Sequence, residues 1–186
     1  ENGLWTLDEM DVVLQSVLDM AGAMGGEDAF RSALGGVKIQ QKTMNAWGRG
    51  WAHHVNLNEA GFTTWTVVHE LGHAWDFANG RQLSRDLKKA VGANNGHPIR
   101  RLLDPKNPNH WYDPGQGPPP CGIDAGFNRY EDFAESVTAY VYPLEAKNKA
   151  QTRGWPYVDT KRNYNYSDFT STPRGKFIDS LVVKLP

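Results

Sequence analysis

Residues Val67, Val68, His69, Glu70, Leu71, Gly72, His73, Ala74, Trp75 and Asp76 decide how the chain is read. Apolar side chains at Val67, Leu71, Ala74 and Ala78 recur at helical intervals, which predicts an α-helix over residues 64–78 with that stripe turned to the core. Thr63 or Thr64 can cap its start, and Asn79 with Gly80 marks its exit. In such a helix His69 and His73 stand one above the other, so both imidazoles can converge on one metal ion. Glu70 lies about 100° round the helix, near enough to reach a water on that metal without becoming a ligand. Gly72 costs about 1 kcal/mol of helix propensity against alanine, a cost that makes sense where something approaches the helix closely.

Two imidazoles leave a catalytic zinc site one ligand short. A second helix is predicted from Tyr130 to about Tyr142, where Pro143 helps to end it. Its apolar stripe is Phe133, Ala134, Val137 and Val141, which puts Glu131 and Glu135 on another face, one turn apart. One carboxylate can complete the metal site, while the other accepts the distal N–H of a ligand histidine and so fixes its tautomer and orientation. The preferred assignment is Glu131 as ligand and Glu135 as the partner of His69. Exchanged roles, or Asp132 as the ligand, stay open at this point. The plain alternative is a solvated acidic first turn favoured by the helix dipole.

Outward from these helices the chain reads as α+β. Thr6 and Glu9 have the spacing of a capping box, and Met10, Val13, Leu14, Val17, Leu18 and Ala21 then recur at helical intervals up to Gly25 and Gly26. A shorter helix over 28–34 stops at Gly35 and Gly36, and the extended segments 37–42 and 53–58 suggest a small sheet. A helix over 83–91 precedes the stretch 104–127, which holds six of the eleven prolines and reads as a functional loop or lid. Residues 157–171 are polar, aromatic and irregular. A last helix opens near Thr172 and Pro173 and docks through Phe177, Ile178, Leu181 and Val182.

The 186 residues suit one domain: 1–80 carries the helices, small sheet and histidine helix, and 81–186 a loop-rich helical part with the third ligand. With 20 basic and 21 acidic residues the net charge is -1, and no block of like charges marks a nucleic-acid binder. No apolar run is long enough for a membrane span. The single cysteine, Cys121, cannot form an internal disulfide. The chain starts at Glu1 without a methionine, which suggests a trimmed mature form or an excised domain; a secreted or exported, monomeric protein is expected.

The sequence at 67–76, followed about sixty residues later by Asn128, Arg129, Tyr130, Glu131, Asp132, Phe133, Ala134, Glu135 and Ser136, resembles the gluzincin metallopeptidases. It is most similar to the group whose catalytic domain is like that of anthrax lethal factor. The resemblance covers residues 50–143, is weaker for the C-terminal helix, and does not extend to the first 35 residues. It implies a zincin-like α+β fold with a small mixed sheet, an active-site helix and a mainly helical C-terminal part. It also implies Zn2+ on His69, His73 and Glu131, Glu135 beside them, Glu70 as general base, and a peptide or protein substrate. Members often carry a tyrosine seven residues before the ligand glutamate, placed to stabilise an oxyanion. Here that position is Asp124, a poor donor unless protonated, so Tyr130, Tyr112 and His110 become candidates for the role.

Several other residues carry weaker expectations. His53 and His54 open a strand that could hold an extended peptide at a sheet edge, with side chains that need take no part. Asp76 could buttress His73 but reads better as an exposed helix acid, and Trp65 and Trp75 as packing near the histidines. Cys121 reads as a free thiol rather than a latch on the metal, and His97 carries no signal. Two functions follow: a zinc endopeptidase, in which a single-target, toxin-like protease is one subclass, and a zinc-bearing module that binds a partner with little or no hydrolysis.

Overall fold

The computed structural model describes residues 5–94, 112–117, 127–152, 158–159, 164–165 and 168–182. The architecture is mixed α+β, and the chain divides into two compact units, Glu1–Arg81 with Ser180–Pro186, and Gln82–Asp179. Among the described residues, no helix is long and apolar enough to cross a membrane.

In the first unit α1 (Leu7–Ala23) begins at the expected capping box: the Glu9 amide donates to Thr6 Oγ1 at 3.2 Å, and the Thr6 amide to Glu9 Oε2 at 2.8 Å. The turn through Gly25 and Gly26, both at positive φ, leads into α2 (Glu27–Leu34). Three short strands follow, β1 (Lys38–Gln41), β2 (Gly48–Trp51) and β3 (His54–Leu57), in the order β1-β3-β2, parallel between β1 and β3 and antiparallel between β2 and β3. Sequence reading finds β1 and β3 but not β2, whose Gly48, Arg49, Gly50 and Trp51 lack strand propensity. One further expectation is corrected here. The strand opened by His53 and His54 is the central one, so the sheet ends in β1 and β2.

Helix α3 (Thr64–Ala78) packs against β2 and β3, with α1 and α2 also resting on it. Being clamped by so many neighbours, it is buried well beyond one stripe: Val67, Val68, Leu71 and Ala74 are inaccessible, and Trp65 and Trp75 are buried, while Ala78 is exposed. Burying the four inaccessible side chains favours this packing by roughly 1.5–3 kcal/mol for each of the larger ones.

The second unit contains α4 (Gln82–Ala90), α5 (Arg129–Val141), α6 (Pro143–Thr152), the short pair β4 (Val158–Asp159) and β5 (Tyr164–Asn165), and the start of α7 (Pro173–Val182). α5 packs on α4 and α6, and a 3-10 turn over Phe169–Ser171 contacts α5, α6 and β5. Pro143 does more than stop α5, since it takes the first position of α6, where its missing N–H costs nothing.

Candidate metal centre

Thr63 accepts the Thr66 amide at 3.1 Å and so fixes where α3 starts and which faces its side chains take. His69 and His73 are half-buried one turn apart, their rings edge to face with centroids 4.7 Å apart. Glu70 is buried. Above it runs β2, and the two glycines of that strand explain how main chain can lie so close. A Cβ at Gly48 would stand 2.5 Å from Glu70 Cγ and 2.7 Å from Oε1, and one at Gly50 would run into the Glu70 carbonyl oxygen and reach 3.0 Å from His73 Cβ. The strand is bare where it crosses the motif.

In the second unit Asn128 caps α5, its Oδ1 accepting from the Tyr130 amide at 2.8 Å and the Glu131 amide at 3.4 Å. Phe133, Ala134 and Val137 face the core as expected, while Glu131 and Glu135 are half-buried. His69 and His73 of α3 each offer an imidazole nitrogen and Glu131 of α5 a carboxylate oxygen, the donor types of a metal site.

Asp132 has a different fate from its neighbour. It is fully buried, and Arg174, also fully buried, donates to it through Nε to Oδ1 at 2.7 Å and Nη2 to Oδ2 at 2.8 Å. The Tyr112 hydroxyl donates to Oδ2 at 2.7 Å. Arg174 goes on to the carbonyl oxygens of Pro114, at 2.6 Å, and Gln116. Both oxygens of Asp132 are thus spoken for, which removes it as a metal ligand. The same network removes Tyr112 as the oxyanion donor, because its one proton is committed to Asp132. Burial, reinforced by the Asp132 charge, pushes the Tyr112 phenol far above its usual range. Tyr130 sits elsewhere: its hydroxyl accepts from Arg129 Nη2 at 2.6 Å, and the guanidinium lies over its ring at 4.6 Å.

Asp76, expected as an exposed acid, is buried at 2 % exposure, because α3 is covered on more sides than its stripe implies. His53 is exposed at the turn between β2 and β3 with φ 61°, a left-handed conformation uncommon outside glycine, and His54 stacks on Trp51 at 5.5 Å. His97, His110, Cys121 and Asp124 lie outside the described residues. Sequence reading missed Gly48, Gly50 and Arg174. The glycines carry a signal, since two at alternate positions of a strand mark one face held open for close backbone approach. Arg174 has none, being 42 residues from its partner. Comparison of the chain with protein-family models, with curated proteins and with solved structures gives no match.

Proposed function

We propose that this chain is a zinc-dependent endopeptidase with a zincin-like fold, as its resemblance to the gluzincins implies. The observation that carries the reading is the donor set of His69, His73 and Glu131. Two imidazole nitrogens and one carboxylate oxygen suit zinc, whereas calcium and magnesium favour oxygen alone. When bound there, zinc supplies a Lewis acid and a water of lowered pKa.

The remaining chemistry belongs to the protein. Glu70 takes the proton of the attacking water on its carboxylate and passes it to the leaving amine, as general base and then general acid. The β2 main chain over Glu70 limits where that carboxylate can swing. Glu135 accepts the distal N–H of His69 and holds its ring in place. Tyr130 serves as oxyanion donor, since a hydroxyl that accepts from a cation donates more strongly through its own proton. The outer edge of β2 offers main-chain groups to an extended peptide.

Metal analysis of the purified chain, joined to cleavage of an unfolded protein with and without chelator, tests the reading. One equivalent of zinc and chelator-sensitive cleavage are expected. Glu70→Gln should lower cleavage by about 10²–10⁴-fold with zinc retained, and Glu131→Gln should lose the zinc. Undiminished cleavage by the Glu70 variant would end the assignment of Glu70. Stoichiometric zinc with no cleavage of any substrate by the unaltered chain would leave the partner-binding module in its place.

A further inference from the structure

Helix α1 has two apolar faces, and one of them is exposed along most of its length. Val13 and Met20 are buried on one side, while on the other Leu7, Met10, Leu14 and Leu18 are 76, 42, 57 and 56 % exposed and only Ala21, which continues their line, is buried. Their spacing of three, four and four residues aligns these four along one side of the helix for about 16 Å. Single exposed apolar side chains are ordinary, but a continuous stripe of four over three turns is a surface that another apolar face would cover.

The charge around the stripe says what kind of face that is. Asp8, Glu9, Asp11 and Asp19 all lie in α1, and the helix has no lysine or arginine. On a helical projection Asp11 adjoins the stripe, with Asp8 and Asp19 beyond it on the same flank. Across the stripe lies the buried seam of Val13. The chain as a whole is nearly neutral, so this one-signed flank is local. A second copy laid α1 to α1 would set acid against acid. An anionic membrane would be repelled for the same reason.

We propose that the Leu7, Met10, Leu14 and Leu18 face docks an amphipathic helix of another protein, apolar at matching spacing and lined along one flank by lysine or arginine. Apolar burial would supply the affinity and the acidic flank the choice of partner. This inference does not depend on the proposed peptidase activity and stands or falls separately from it.

The probes are two designed 18-residue helical peptides with leucines at matching spacing, identical except that one carries lysine and the other glutamate on the flank. Binding to the full chain is followed by fluorescence anisotropy. The lysine peptide should bind about tenfold tighter, the sum expected of a few exposed ion pairs, and should weaken as salt rises. Leu14→Gln with Leu18→Gln should abolish that binding at unchanged melting temperature, as both side chains are exposed. Asp8→Lys with Asp11→Lys should reverse the preference between the peptides. Equal binding of the two peptides, or binding of neither, overturns the proposal. So does self-association in sedimentation that Leu14→Gln removes, or binding to phosphatidylcholine vesicles in preference to the lysine peptide.

Discussion

Glu70 and Asp132 are both carboxylates buried inside well-packed helices, and the two units accommodate them differently. Asp132 is answered within its own unit by two buried side chains, and Arg174 carries the network on to the backbone at Pro114 and Gln116. A network closed in this way ties the segment 112–117 to α5 and α7 and leaves nothing for a ligand to bind. Glu70 lies instead beneath the main chain of a strand stripped of side chains at the point of contact. Burial alone does not distinguish the two acids; what covers each of them does.

The sharpest way to break this contrast is through Arg174. Arg174→Met strands the Asp132 charge and is expected to cost about 3–5 kcal/mol in urea unfolding. Adding Asp132→Leu should return much of that loss, because an apolar pair replaces a stranded charge. A double variant no more stable than the single one would show that the network matters through its shape rather than its charge.

Gly50→Ala comes next. Its Cβ meets the Glu70 carbonyl, which cannot move without the helix, so a loss of about 1–3 kcal/mol is expected, read as a lowered unfolding midpoint. Gly48→Ala meets the Glu70 side chain from Cγ to Oε1, which can be displaced by rotation where the backbone carbonyl met at Gly50 cannot. It should therefore spare stability and, under the proposed function, lower kcat by up to about 10²-fold with KM little changed. Unchanged kcat would show that β2 does not hold Glu70.

The smallest effect concerns pH. Burial and then Asp132 hold the Tyr112 proton in the folded protein well past the usual tyrosine value, while the unfolded chain releases it near pH 10. Stability from this group is complete below that pH and is lost as pH rises above it. Between about pH 9 and 11 the unaltered chain should lose stability more steeply than Tyr112→Phe, as followed by thermal unfolding.

What was legible in the sequence was whatever is local. The Thr6 and Thr63 caps, the α3 periodicity and the four-residue spacings of His69 with His73 and Glu131 with Glu135 all lie within a turn or two of chain. β2 was hidden because strand propensity records side chains that fit a pleated surface, and this strand works by lacking them. The Asp132–Arg174 pair was hidden because nothing near either residue announces a partner 42 positions away. Periodicity also found the apolar character of α1 without showing that it falls on two faces, one of which is exposed from Leu7 to Leu18.

The glycines of β2 have a consequence for how such a protein can change. Where the surface beside a buried carboxylate is made of side chains, single substitutions can reshape it in small steps. Here the neighbouring surface is peptide backbone, the same for every sequence, and at Gly48 and Gly50 any added side chain collides with Glu70 or its carbonyl. Gly50 is closed to gradual adjustment by the backbone of the helix, and a side chain at Gly48 is admitted only if Glu70 itself moves, so small changes around this carboxylate must come from other positions.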